Sequence, residues 1–224
     1  MQSPVSGRES SKPTIQTSPR FAGRLGFLYG ALVLVGLILP ATAFGSAEPE
    51  NTLTVLVYSY SGASPATLRS AEREADKILN AAGASIEWVN CWDKKQLNAE
   101  SGELCDKGWT SQTPGLRLIS GTDKHVAAEF GVASIPVYAT IYYDKVARRA
   151  HNDDSAAELP VLLGCVIAHE LGHLLLGSPG HYKFGIMQAQ WGADQIRRAL
   201  TGRLLFTKEQ ERIIREQLLT ATNR

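Results

Sequence analysis

The stretch CVIAHELGHLLLGSPGHYKFGIM, from Cys165 to Met187, holds three of the chain's five histidines within thirteen residues. His169 and His173 are four residues apart, so on a helix both imidazoles project from one face and can reach one ion. Glu170 follows His169 directly and can reach a water on the metal without being a ligand itself. This H-E-x-x-H arrangement on a helix is typical of two zinc ligands and a general base.

A histidine on an apolar helix face is usually a hydrogen-bonded core residue rather than a ligand. Here, two histidines at ligand spacing and a carboxylate lie within VLLGCVIAHELGHLLLG (161–177), which is otherwise almost wholly apolar. Three buried polar groups would each destabilise the fold unless they were satisfied. A zinc ion with its surroundings satisfies all three together, so the metal interpretation is favoured over the core interpretation.

A catalytic zinc ion takes a third protein ligand and keeps one position open for water. His181 is the preferred candidate, because Gly177 ends the helix and the residues Ser-Pro-Gly after it can turn the chain back. Asp194 and His151 are the alternatives. Cys165, one helical turn before His169, is either a fourth ligand or, as we favour, a small buried hydrophobe.

The sequence on either side of this stretch indicates where the histidine-bearing helix begins and predicts two more helices after it. The polar segment HNDDSAAELP (151–160) precedes the histidine-bearing helix, with Pro160 suited to its first turn. Its candidate N-caps are Asp153, Asp154 and Ser155. Downstream, ADQIRRALTG (193–202) predicts a short helix, and TKEQERIIREQLL (207–219) predicts a longer one that opens with a capping box of Thr207 and Gln210.

Before the histidines, the hydrophobic periodicity predicts a strand, an amphipathic helix ended by Gly83, and a second strand, which together suggest a parallel crossover unit. A polar loop from Cys91 to Gly115 follows, and then three more strands. The six segments are NTLTVLVYSYSG (51–62), SPATLRSAEREADKILNAAG (64–83), ASIEWVNC (84–91), LRLIS (116–120), HVAAEFGVASI (125–135) and YATIYYDKVARRA (138–150).

The N-terminus joins a polar, basic segment to an apolar one. MQSPVSGRESSKPTIQTSPR precedes LGFLYGALVLVGLILPATA, and no charged residue occurs from Leu25 to Ala47. Ala41-Thr42-Ala43 has the A-x-A form of a cleavage site, so residues 1–43 are predicted to be a secretory signal. The alternative is an uncleaved membrane anchor over residues 25–43, since the apolar run approaches the ~20 residues that span a bilayer. Either way the remainder is expected to be exported, secreted or periplasmic.

Export changes how the three cysteines are interpreted. Cys91 and Cys105 bracket a polar segment, and outside the cytosol such a pair can persist as a disulfide. A disulfide that closes this loop would lower the conformational entropy of the unfolded chain and so stabilise the fold by about 3 kcal/mol. The alternative is two unpaired thiols.

Composition and charge bound the remaining possibilities. The 224 residues are 44% hydrophobic with a net charge of +1, which is ordinary for a globular protein. Residues 1–43 carry four basic residues and one acidic residue, which leaves 19 basic and 21 acidic residues in the rest. No Lys/Arg-rich run remains to follow a phosphate backbone, so nucleic acid is not an expected partner. Residues 44–224 are predicted to form one domain, with subdomains at about 52–177 and 178–224.

The residues HELGHLLLGSPGH followed by GIM resemble the metzincin clan of zinc endopeptidases. The signature of that clan is H-E-x-x-H-x-x-G-x-x-H with a later methionine turn under the metal. The resemblance implies one catalytic Zn²⁺, held by His169, His173 and His181, with Glu170 as the base and Met187 as the turn methionine.

The link to the third histidine departs from this signature. Three residues rather than two separate His173 from Gly177, and three rather than two separate Gly177 from His181. The resemblance also covers the order of strands and helices before the motif. It implies an α+β, zincin-like fold, in which a twisted, mostly parallel five-stranded sheet with an antiparallel edge strand packs on two long helices, plus a small helical C-terminal subdomain.

The predicted function is zinc-dependent hydrolysis of peptide bonds, with a zinc-activated water and Glu170 as general base. The peptide or protein substrate would lie extended along an edge strand near AEFGVASI (128–135). The alternative is a zincin-like module that binds zinc without turning over peptides. A membrane partner is expected only if the N-terminal segment is an uncleaved anchor.

Three further residues are weaker candidates for the site. Tyr182 or His125 would stabilise the oxyanion. The segment after Met187, including Trp191, would line the pocket that selects side chains, although Trp191 is equally consistent with a core residue.

Overall fold

The computed structural model describes residues 52–121, 130–151 and 158–222. Some of the predictions concern residues outside these ranges. They are the signal or anchor at 1–43, the oxyanion candidate His125, and the candidate caps Asp153, Asp154 and Ser155.

Along the described chain, two strand–helix pairs are followed by three strands and then by four helices. The elements are β1 (Thr52–Tyr60), α1 (Pro65–Ala82), β2 (Ser85–Asn90), α2 (Ala99–Lys107), β3 (Gly115–Ile119), β4 (Gly131–Ser134), β5 (Tyr138–Tyr142), α3 (Tyr143–His151), α4 (Glu158–Leu176), α5 (Ala193–Leu200) and α6 (Lys208–Thr222).

The strands form one sheet in the order β2-β1-β3-β5-β4. Every neighbouring pair is parallel except β4 and β5, which are antiparallel. Central strands of such a sheet are covered on both faces, so Val55, Leu56 and Val57 of β1 are all buried. The prediction of a mixed five-stranded sheet in an α+β fold is confirmed.

Helix α1 begins and ends where its sequence indicates. The Ser64 side chain accepts a hydrogen bond from the Thr67 backbone N–H at 3.0 Å, and Pro65 occupies the first turn. Gly83, with φ +90°, ends the helix in a conformation that favours glycine. Helix α4 approaches α1 closely at Gly164, where an added Cβ would lie 2.5 Å from the Cβ of Glu74.

Helix α4 is the core element of the domain. Fourteen of its residues are buried, from Leu162 to Leu176. By length and composition this helix could cross a membrane, but 78% of its apolar window is buried inside the protein. Its hydrophobicity is therefore accounted for by packing against the sheet and the other helices, as expected for a helix that is apolar on every side.

One prediction about the segments before α4 is wrong. The predicted strand YATIYYDKVARRA stops at Tyr142, and α3 follows at once. The segment is helical because its buried residues, Val146 and Ala150, are four apart and lie on one face of a helix. The Asp144 carboxylate in the first turn of α3 also accepts the Gly121 N–H at 2.7 Å. The strand predicted over 125–135 is present as β4 over Gly131–Ser134, and residues 125–129 lie outside the described ranges.

The predicted polar loop between Cys91 and Gly115 contains the helix α2. Asn98 caps it by accepting the Ser101 N–H at 2.7 Å, as asparagine commonly does at a helix start. None of its residues is buried, so it has no apolar stripe by which the sequence could have indicated it. A disulfide joins Cys91 to Cys105 within this segment, with an S–S distance of 2.00 Å.

The C-terminal helix is tied to the segment that follows the histidines. Thr207 N–H donates to Gln210 Oε1 at 2.9 Å, and Gln210 N–H donates to Thr207 Oγ1 at 3.3 Å. These two bonds form the predicted capping box. The buried Gln210 side chain also donates to the Phe184 carbonyl at 3.5 Å. Helix α6 thereby supports the chain just before Met187.

Candidate metal centre

His169 and His173 lie one turn apart on the buried face of α4. Their exposed fractions are 7% and 4%, and their ring centroids are 4.9 Å apart. Both rings are held in the core by a helix that packs on all sides, so their separation is set by the helix itself.

A tight turn after α4 brings His181 back to this pair. Gly177 has φ +62°, its N–H donates to Leu174 O at 3.2 Å, and Ser178 N–H donates to His173 O at 3.2 Å. This is the Schellman motif that ends many helices. The His181 ring centroid then lies 5.4 Å from that of His169 and 4.9 Å from that of His173.

The ligand atoms of the three histidines all lie within 4.8 Å of one another. The longer link noted in the sequence is therefore compatible with convergence. The alternatives for a third ligand lie elsewhere. Asp194 pairs with Arg197 at 2.8 Å and with Arg198 at 2.9 Å. His151 is exposed at the end of α3.

Backbone carbonyls orient both helical histidines. Nδ1 of His169 is 2.7 Å from the carbonyl oxygen of Ile186, and Nδ1 of His173 is 2.9 Å from that of Ser178. Since a carbonyl oxygen only accepts, each Nδ1 carries the proton and each Nε2 keeps its lone pair. Hydrogen bonding of the distal ring nitrogen in this way is typical of histidines that bind metals.

Burial also keeps the two helical rings neutral. It lowers the pKa of His169 to about 4 and lowers the pKa of His173 below its ordinary value. Neutral imidazole is the form that binds a cation, so at neutral pH no proton has to leave either ring first. Neutral rings with free Nε2 atoms at short mutual distances fit the donor set that zinc prefers.

Glu170 lies beside the cluster and is almost fully buried, with 3% exposure. Its Oε2 atom has no hydrogen-bond partner among the described residues. Burial raises the pKa of this carboxyl group to about 8. An orphaned buried carboxyl oxygen with a raised pKa, next to three converging imidazoles, indicates a functional group rather than a structural one.

Met187 is fully buried against α4. An added Cβ at Gly172 would lie 2.6 Å from Met187 Sδ and 2.8 Å from a ring carbon of Phe206, so glycine is required for this packing. The preceding residue, Ile186, supplies the carbonyl that accepts from His169. The buried methionine thus fixes the backbone segment that orients the first histidine.

A cleft of about 380 Å³ opens onto the cluster. Strand β4 and the residue before it contribute Phe130, Gly131, Val132 and Ala133, and the segment after Met187 contributes residues 188–191; the other lining residues are Val166, His169, Glu170, His173, Pro179 and His181. Trp191 is both a buried residue and part of the cleft lining. Its indole lines the cleft, is 7% exposed, and donates to the Ile186 carbonyl at 3.3 Å.

Tyr182, the other oxyanion candidate within the described ranges, is not among the residues that line the cleft. Its backbone N–H donates to Met187 O at 2.8 Å, which closes the loop between them.

Cys165 is buried in the core and is not part of the histidine cluster; burial raises the pKa of its thiol to about 12. Its proposed alternative as a fourth ligand is not supported.

Sequence reasoning missed the groups that act through the backbone. The carbonyls of Ile186 and Ser178 leave no trace in side-chain patterns. Gly131, which lies against the Glu170 carboxylate, sits in an ordinary strand segment. Gly172 was the one available signal, because a glycine between two ligands on a buried helix indicates close packing.

No protein-family model matches the chain, and no curated protein does. Among solved structures, the chain is similar to archaemetzincin from Methanopyrus kandleri, with a TM-score of 0.50 and 16% identity over 75% of this chain and 96% of that chain. It also matches a zinc-dependent peptidase from Methanocorpusculum labreanum, with a TM-score of 0.48 and 15% identity over 73% of this chain and 99% of that chain. The first similarity shows that the chain has an archaemetzincin-type fold.

Proposed function

We propose that this protein is a zinc-dependent metalloendopeptidase. One observation carries the proposal: the ligand atoms of three histidines converge within 4.8 Å of one another beside a buried carboxyl group with an unpartnered oxygen. The fold shared with archaemetzincin supports it. Substrate class and reaction follow from the arrangement of the chain's own groups.

His169, His173 and His181 would hold the zinc ion, each through a ring nitrogen. When bound, zinc supplies Lewis-acid activation of water and of the scissile carbonyl. Glu170 acts as the general base. Burial alone raises the pKa of this carboxyl group to about 8, and a cation beside it favours the ionised form that accepts a proton from water. Glu170 then passes that proton to the leaving amine.

The substrate peptide would add a strand to β4, the edge strand that borders the cleft. Tyr142 N–H donates to Phe130 O at 2.8 Å, and the next pair in register is Gly131 with Ile141. Antiparallel pairs alternate between hydrogen-bonded and non-hydrogen-bonded. The N–H and C=O of Gly131 therefore point away from β5, toward the open edge, where they can pair with a peptide.

The cleft supports selection of an apolar side chain. Phe130, Val166 and Trp191 line it, and the ring centroids of Phe130 and Trp191 are 5.9 Å apart. An apolar substrate residue packed among them would bury hydrocarbon surface at about 25 cal/mol per Å². We expect peptides with a large apolar residue next to the scissile bond to be cleaved fastest.

We propose export for the mature protein as well. The predicted signal or anchor at residues 1–43 supports it, and so does the disulfide between Cys91 and Cys105, because disulfides persist mainly outside the cytosol. Sequencing the N-terminus of mature protein tests this: a start near residue 44 fits a cleaved signal, and an intact segment fits an anchor. Recovery in a reduced, cytosolic form contradicts export.

The function is tested by zinc content and hydrolysis of casein, an unstructured protein. We expect about one zinc per chain, casein cleavage that a chelator stops, and loss of cleavage in Glu170→Ala with zinc retained. If wild type and Glu170→Ala both bind zinc and are equally inert, the protein is the zinc-binding module considered above. Glu209→Ala, an exposed carboxylate on α6, is the matched control.

A further inference from the structure

Gly131 of β4 lies directly against the side chain of Glu170. A Cβ added at Gly131 would come within 2.5 Å of Glu170 Oε1 and 2.6 Å of its Cδ, distances that real contacts essentially never show. The carboxyl group of the proposed base therefore occupies the volume in which any other residue at position 131 would carry its side chain.

The backbone of Gly131 does not itself require glycine. Its φ is not among the positive values that seven other glycines of the described chain adopt. Position 131 is the first residue of β4 and is paired with Ile141. Glycine in a strand often marks the close approach of another group. The close approach here is to Glu170 and, on the neighbouring strand, to the Thr140 carbonyl oxygen, which the same Cβ would meet at 2.7 Å.

We propose that Gly131 is a positioning residue for Glu170. Its missing side chain lets the carboxylate lie flush against the edge strand, so the base is held next to the backbone groups that would pair with a peptide. This inference rests on the proposed function for its effect on catalysis. The contact itself does not depend on that function.

The first test is Gly131→Ala. The added methyl group displaces the Glu170 carboxylate, and misplacement of a reacting group by about 1 Å can cost 10²-fold in rate. We expect kcat to fall by about ten- to a hundredfold, KM to change by less than about threefold, and zinc content to stay at the wild-type value. Gly102→Ala in α2, where a Cβ meets nothing within 4 Å, should leave all three unchanged.

The second test separates Glu170 from the Thr140 carbonyl. Glu170→Asp shortens the side chain by one methylene and vacates the volume that the new methyl group needs. Gly131→Ala should then lower kcat and Tm less in the Glu170→Asp background than in the wild type, with Tm differing by about 3 °C or more between the two backgrounds. Equal losses in both backgrounds would assign the cost to Thr140 and overturn the proposal.

The two proposals fail in different ways. If no variant hydrolyses casein but the Tm coupling between positions 131 and 170 persists, the peptidase function is wrong and the contact stands. If casein is cleaved but Gly131→Ala behaves like Gly102→Ala, or its losses are additive with those of Glu170→Asp, the positioning role is wrong and the peptidase function stands.

Discussion

His169 and His173 are carried by a buried helix, whereas His181 is carried by an exposed loop. Each helical ring donates to a backbone carbonyl and is thereby fixed in orientation. The loop reaches the pair only after the turn at Gly177 and a link two residues longer than the signature that the sequence resembles. Two of the three proposed ligands are thus preorganised by the core, and the third depends on a surface segment.

Removal of a ligand should expose this difference most strongly. His173→Ala takes away a preorganised ligand and should abolish stoichiometric zinc binding. His181→Ala should retain zinc weakly, with a loss greater than the about 10–100-fold that removal of a ligand's hydrogen-bonding partner costs. Zinc titration against a competing chelator measures both. Equal affinities for the two variants would show that helix and loop contribute alike.

The part of the candidate site on α4 should also lower the stability of the protein in a pH-dependent way, through Glu170. Burial raises the pKa of Glu170 from 4.5 to about 8, so the folded apoprotein holds a proton that the unfolded chain releases between these values. Stability conferred by this group therefore falls as pH rises from about 4.5 to about 8.

In the presence of chelator, Glu170→Gln should consequently stabilise the protein by about 2–4 kcal/mol at pH 8 and by little at pH 4.5. Denaturant unfolding at both pH values measures the difference. A Glu170→Gln effect that does not vary with pH would contradict the burial of a titrating carboxyl group.

A matched pair of glycine substitutions compares the packing of helix α4 with that of the loop that carries His181. Gly172→Ala in the helix drives a methyl group toward Met187 and Phe206 and should destabilise the protein by about 1–3 kcal/mol. Gly180→Ala in the loop meets only Ser178 Oγ at 3.4 Å, an ordinary contact. That change should alter stability by only about 0.5 kcal/mol or less. Thermal unfolding of the two apoprotein variants measures this difference. Equal shifts in Tm would contradict the tighter packing of the helix.

The smallest expected effect concerns the stiffness of the loop. Pro179→Ala frees one backbone torsion between the turn and His181, and proline in a compatible position stabilises by about 0.4–1 kcal/mol. We expect zinc affinity to fall by about two- to fivefold and apoprotein stability to fall by no more than about 1 kcal/mol. Affinity equal to wild type would indicate that the loop is already held by other contacts.

The fold could be predicted where its signals are local. The apolar run of α4, the capping residues of α1 and the capping box before α6 each lie within a few residues of the element that they define. Helix α2 could not be predicted because it buries none of its residues. Helix α3 was missed because its residues continue a strand pattern without a break, and its distinguishing contact is with Gly121, 23 residues upstream.

The candidate site divides in the same way. The spacing of His169, Glu170 and His173 is visible in the sequence, because one helical turn brings such residues together. That His181 joins them depends on the path of the loop, which local patterns do not specify. The arginines three and four residues after Asp194 were a local signal that its carboxylate is paired elsewhere. The roles of Gly131 and of the orienting carbonyls depend on contacts between elements and were beyond local patterns.

The turn after α4 couples helix termination to ligand geometry. Ser178 closes the helix by donating its N–H to the carbonyl of His173, and its own carbonyl receives the imidazole proton of that same residue. Folding of the helix terminus therefore selects the tautomer of His173 that carries its proton on Nδ1. If the last turn of α4 unfolds locally, the proposed metal site is disrupted while the core stays folded. Zinc binding should accordingly report on the backbone of a single residue, and on gentle heating zinc affinity should be lost before the sheet melts.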